Sequence, residues 1–146
     1  MVLAVCLLST VLAVVMYQKS VGNQMSLSAS YDIGVYEHDT TTDCLNIVWG
    51  AFTESQVKTY VIDLKYLGNV QGRIYWDASN LNGVWVVTVE EKNHDASGYN
   101  IWLSGENNQI TGLEFGHLKH IRLTLTEVNA VPNQQYAFSV AFYSIA

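Results

Sequence analysis

From Met25 onward, apolar residues recur at every second position rather than every third or fourth. That is the period of a strand with one covered face. Tyr60, Ile62, Leu64 and Tyr66 alternate with Thr59, Val61, Asp63 and Lys65. After Gly68-Asn69 the alternation resumes, with Val70, Gly72, Ile74 and Trp76 set against Gln71, Arg73, Tyr75 and Asp77. A Gly-Asn pair between two such runs predicts a hairpin, because both residues tolerate the positive φ of a tight primed turn. Trp85, Val87 and Val89 line one face of a strand ending in Glu90-Glu91. Ile121, Leu123 and Leu125 face away from His120, Arg122, Thr124 and Thr126. Tyr136, Phe138, Val140 and Phe142 alternate with Ala137, Ser139 and Ala141. Shorter runs are 33–36, 45–49 and 101–103. Each apolar face needs a second sheet to cover it. Seven to nine strands punctuated by Gly, Asn and Asp predict an all-β chain, a two-sheet antiparallel sandwich of immunoglobulin-like or jelly-roll type.

The first residues follow a different pattern. Met1 to Met16 carry no charge, and a helix through Tyr17 would be roughly 25 Å long. A hydrocarbon core is about 30 Å thick, so the stretch suits the apolar region of a signal peptide as well as an anchor. Ser20 and Gly22 are small residues spaced for signal peptidase, which places a cleavage site before Asn23. Three readings stand: a cleaved signal, a retained anchor, and a pilin-like helix packed in a filament core. The expected organisation is a hydrophobic segment over residues 1–22 and a β-sandwich over 23–146. Just after the junction, Met25, Leu27, Ala29 and Tyr31 share one side of an alternating strand. Such a strand pairs within its own domain or extends into a neighbour's sheet.

Composition narrows the function. Charged residues are 14% of the chain, against about 25% in an average globular protein. With 49% hydrophobic residues, nine Tyr and four Trp, the chain is too apolar for disorder. A net charge of −6 and scattered Lys and Arg argue against nucleic acid as a partner. Cys6 lies in the hydrophobic segment and Cys44 in the folded part, so Cys44 reads as a lone thiol.

The run Ile33-Gly34-Val35-Tyr36, then Cys44, then Ile47-Val48-Trp49-Gly50, then Val57 to Leu67 with Gly68-Asn69-Val70, and finally His120 to Thr126, resembles small archaeal secreted or membrane-anchored sandwich proteins. Those are similar to the wider set of TasA/camelysin-like and archaeal bundling-pilus or thread-type filament subunits. The resemblance spans roughly residues 32 to 143 and is thinnest over 91 to 115. It implies a surface protein that polymerises when an N-terminal strand inserts into the next subunit's sandwich. The assembly strand would then be Met25, Leu27, Ala29 and Tyr31, and the partner a second copy of the chain.

The residues that could carry chemistry are few. Glu37, Asp39 and Asp43 lie in the loop EHDTTTD, and clustered oxygen ligands in a loop suit extracellular Ca2+. The loop lacks the Gly-bearing ladder of an EF-hand, so a solvated acidic turn is the plainer reading. His117 and His120 are three apart, which on a strand puts them on opposite faces. His120 is expected on a solvated face, and His38 and His94 in loops without a fixed partner. Glu90 and Glu91 point apart and cannot act together on one bond. Tyr75, Trp76, Trp85, Tyr99 and Trp102 could stack on sugar rings, but core or cross-strand roles are the plainer reading. No phosphate loop or nucleophile elbow occurs.

The expected protein is therefore a non-enzymatic, extracellular or cell-surface structural protein that binds no cofactor, with calcium the one candidate ion. The alternative is a monomeric adhesion or ligand-binding module held in the membrane through residues 1–17.

Overall fold

The structure is a computed structural model that describes residues 23–29, 32–53, 55–69, 72–94, 100–113, 116–131 and 134–145. The expected N-terminal helix, with Cys6, lies outside the described residues. Among the described residues no helix is long and apolar enough to cross a membrane.

Among the described residues the alternating runs form ten strands: β1 (Asn23–Ala29), β2 (Ile33–Glu37), β3 (Asn46–Gly50), β4 (Val57–Tyr66), β5 (Gly72–Ser79), β6 (Trp85–His94), β7 (Asn100–Leu103), β8 (Gln109–Leu113), β9 (Leu118–Glu127) and β10 (Ala137–Ile145). They build two five-stranded sheets, ordered β3-β1-β10-β5-β8 (sheet A) and β2-β4-β9-β6-β7 (sheet B). The chain is thus all-β with two packed sheets, as the period of two predicts. One ladder departs from the antiparallel expectation, because β1 runs parallel to β10.

The apolar faces meet between the sheets. Sheet A contributes Met25, Leu27, Ile47, Trp49, Ile74, Ile110, Phe138, Val140 and Phe142. Sheet B contributes Ile33, Val35, Ile62, Leu64, Trp85, Val87, Val89, Ile121, Leu123 and Leu125. Their burial is the main drive toward the fold. The strand expected to stop at Glu90-Glu91 runs on to His94, where β7 pairs with its far end. Between β5 and β6, Asn80, Asn82 and Gly83 all take positive φ. These residue types bear left-handed backbone at least cost.

Consecutive strands change sheet at nearly every step, and among the described residues β6-β7 is the one pair of consecutive strands that is hydrogen-bonded. The hairpin expected across Gly68-Asn69 is therefore not formed. β4 lies in sheet B beside β2 and β9, and β5 lies in sheet A beside β10 and β8. Neither Gly68 nor Asn69 has positive φ. The segment spans the gap of about 10 Å between stacked sheets instead of reversing the chain. Gly68 is there for space: a Cβ would collide with the ring of Tyr66, which is buried.

A crossing, unlike a two-residue turn, fixes no strand register. Inserting Gly-Ser after Asn69 should lower unfolding stability in urea by no more than about 0.6 kcal/mol, the cost of modest loop lengthening. A larger loss would mean that this segment sets the pairing of β4 and β5.

Candidate functional site

The N-terminal strand occupies a defined seat. Met25 and Leu27 point into the core and are buried, while Gln24, Ser26 and Ser28 face out. Ala29 is exposed at the end of the strand, and Tyr31 lies outside the described residues. On one side β1 follows β10, with Met25 opposite Phe138 and Leu27 opposite Val140. On the other side it pairs antiparallel with β3, Met25 opposite Ile47. Gln24 N donates to Tyr136 O at 3.1 Å, and Leu27 N to Leu45 O at 2.7 Å. The seat is thus a slot between β3 and β10 with backbone partners on both walls. At the mouth, Asn23 Nδ2 donates to Gly50 O at 3.2 Å, where Gly50 holds φ +69.

The wall formed by β3 is also tied to the opposite sheet. Lys58, on β4, donates from Nζ to Trp49 O at 2.8 Å and lies 4.4 Å from the Phe52 ring centroid. Trp49 meets Tyr60 edge-on with centroids 6.3 Å apart. Burial lowers the Lys58 pKa, but the ammonium keeps carbonyl acceptors.

The second feature lies on the outer face of sheet B. Tyr36, Asp63 and His120 stand in one row across β2, β4 and β9. The chain between β2 and β3 doubles back in a tight strap, with Glu37 N donating to Thr42 O at 2.8 Å and Cys44 N to Val35 O at 2.9 Å. The strap brings His38 and Asp39 against Asp63, whose side chain is only 1% exposed. His38 Nδ1 lies 2.9 Å from Asp63 Oδ1, and His120 Nδ1 lies 2.7 Å from the same oxygen. The imidazoles meet edge to face with centroids 4.8 Å apart. Asp39 takes φ 57, and its N–H donates to Asp63 Oδ2 at 2.9 Å. Its carboxylate lies 3.4 Å from His38 Nε2. Burial pushes the Asp63 carboxyl up, but hydrogen bonds from His120, His38 and the Asp39 N–H outweigh it and hold the pKa below the ordinary value.

Two sequence expectations are corrected here. His120 is partly covered rather than solvated, and His38 has a fixed partner, both because Asp63 is buried beneath them. Of Glu37, Asp39 and Asp43, the structure brings only Asp39 into a cluster of ligand-type side chains, and that cluster contains two nitrogens. Glu37 and Asp43 are exposed, with Asp43 in a single bridge to Tyr36. The sequence carried part of the signal, since Asp63 and His120 both occupy polar positions of strong strands. Their pairing came only with the register.

The remaining candidates are scattered. His117 is exposed and outside the cluster, and the His94 side chain lies outside the described residues. Glu90 and Glu91 face apart: Glu90 pairs with Arg122 at 2.7 Å and Glu91 with Lys119 at 2.8 Å. Trp85 is in the core and Trp76 packs against it. Tyr75 stacks on Tyr143 outside sheet A, and Trp102 lies over Arg122 outside sheet B. Tyr99 lies outside the described residues. The four described aromatics thus share no single face. Cys44 carries a free, buried thiol. Burial, with the charge of Glu37 added, raises its pKa, away from the thiolate a nucleophile uses.

The pH dependence of the Asp63 cluster has a definite sign. Its folded pKa is depressed, so its contribution to stability is present above the unfolded value of about 3.9 and is lost as pH falls through the folded value. In urea unfolding from pH 6 downward, the stability gap between the wild type and Asp63→Asn should narrow below about pH 3.9. A gap constant with pH would mean that the carboxylate charge contributes nothing. No protein-family model matches the chain, and no curated protein matches its sequence.

Proposed function

We propose that the chain is a non-enzymatic cell-surface structural protein, a subunit of an extracellular filament assembled by exchange of its N-terminal strand. The observation that carries this reading is the seat of β1. The pairings of β3 to β10 are nested: β6 with β7, β5 with β8, β4 with β9. By the same order β3 would pair with β10, and β1 stands between them. This nesting supports a jelly roll over an immunoglobulin-like order. It also makes β1 an addition to an otherwise continuous roll. A strand that fills a slot in a roll by backbone bonds and two apolar anchors, Met25 and Leu27, uses the chemistry of strand donation between chains. The apolar, charge-free residues 1–16 support export or anchoring of the domain that follows.

The second reading, a monomeric membrane-anchored adhesion or binding module, draws on the same strand. In one chain, β1 completes its own sheet, with Ser26 opposite Ser139. The two readings differ in whose β1 fills the slot.

Cross-linking separates them without disturbing the core. Ser26 and Ser139 share the outer face of sheet A. In a Cys6→Ser, Cys44→Ala background, Ser26→Cys with Ser139→Cys places two thiols on paired residues, within disulfide reach. Oxidised cell-surface material run without reductant should give a ladder of covalent multimers. A single monomer band, with filaments absent by electron microscopy, would overturn exchange in favour of the module. Deleting residues 23–31 should abolish polymerisation, and fibres from that variant would also sink the proposal.

A further inference from the structure

We propose that His38, Asp39, Asp63 and His120 form a binding site for a divalent first-row transition ion of the zinc class. This does not rest on the filament reading. It rests on four side chains from three elements whose ligand atoms all lie within 4.8 Å of one another.

Charge argues for an ion first. Asp63 is buried, and a buried carboxylate is costly unless its charge is compensated. Its partners are two imidazoles and one backbone N–H, with no Lys or Arg among them. An imidazole lends its lone pair to a metal only when neutral. The four side chains then carry two negative charges, which one divalent cation cancels.

Geometry fixes the coordinating atoms. Both imidazoles turn the same atom, Nδ1, toward one oxygen of Asp63, at 2.9 and 2.7 Å. An ion bound by four ligands at about 2.0–2.1 Å in a tetrahedron spaces those ligands about 3.3 Å apart. The two imidazole–Asp63 contacts would open by about half an ångström, and separations as wide as 4.8 Å would close toward that spacing, to admit the ion. Asp39, 76% exposed at the strap tip, supplies the fourth ligand from the solvent side. Asp63 and His120 stand on adjacent strands in direct register. The strap that carries His38 and Asp39 is closed on itself by Thr40 Oγ1, which donates to Glu37 O at 2.9 Å. Donors held on rigid elements need little reorganisation to bind.

The donor set selects the metal. Two imidazole nitrogens with two carboxylates suit zinc, nickel or copper. Calcium takes six to eight oxygens, and this cluster offers it too few. The ion would clip the strap onto β4 and β9.

The test uses the full chain and Zn2+ as the probe. Calorimetric titration should show one equivalent binding, and Ca2+ at the same concentration should give no comparable heat. His38→Ala, at a 40% exposed strap position, should fold normally by circular dichroism yet weaken Zn2+ binding by roughly tenfold or more. His117→Ala should leave it unchanged. Co2+ added to the wild type should give the visible bands of a tetrahedral site, a readout that needs no variant. Zn2+ binding that survives His38→Ala unchanged, Ca2+ binding of equal strength, or an octahedral Co2+ spectrum would each overturn the site.

Discussion

Among the described residues, β3 reaches the rest of sheet A only through β1. With the order β3-β1-β10, the first strand supplies hydrogen bonds to both neighbours, and its removal would leave two facing edges without partners. Unpaired edges are the standing hazard of sheet proteins. This one would lie directly over the core, because Met25 and Leu27 are part of it. A single strand directly after the N-terminal segment is thus both a wall of the core and a backbone splice. Its parallel alignment with β10 follows from the roll: β3 and β10 run antiparallel to one another, so a strand between them must be parallel to one.

The charged groups obey a related economy of position. Asp63 is inserted into the outer face of sheet B, yet it is covered by the strap as completely as a core residue. Glu127 is buried too, and its carboxylate accepts the backbone N–H groups of Ser55 and Ala130. In both cases a strand-borne carboxylate collects donors from a connection that folds over it. The loops at these places are held by buried charge as well as by apolar anchors such as Cys44 and Phe52. That places them among the features whose loss leaves a desolvated group unpaired.

Much of the fold was legible in the alternation. Ile62 and Leu64, Ile121 to Leu125, and Phe138 to Phe142 all bury the face that the pattern assigned to the core. What alternation does not carry is partnership. Gly68-Asn69 has the composition of a hairpin turn, but turn chemistry is local, and the choice between reversing within a sheet and crossing to the other is made by distant strands. β9 offers β4 a ladder running from Val57 to Lys65, and no local turn competes with that. The same limit hid the His–Asp cluster. His38, Asp63 and His120 are separated by 25 and 57 residues, and only the register of β4 with β9 and the fold of the strap bring them together. Asp39 was legible as an acidic loop residue, but its partners were not.

The two features meet in β3. Its leading end follows the strap that is fixed to Asp63, and Cys44 N is bonded to Val35 O just before it. Its trailing end is tied to β4 by Lys58 at the Trp49 carbonyl and by the Trp49–Tyr60 contact. These attachments run to sheet B and do not pass through β1. The far wall of the slot therefore has anchors of its own, while β10 is held on its other side by β5 from Arg73 to Ser79. Both walls keep independent support, so replacement of β1 by an identical strand would leave every other pairing of sheet A intact. That is the mechanical condition for exchange between copies. The strap, bonded to Asp63, holds the leading end of β3 from the side of sheet B.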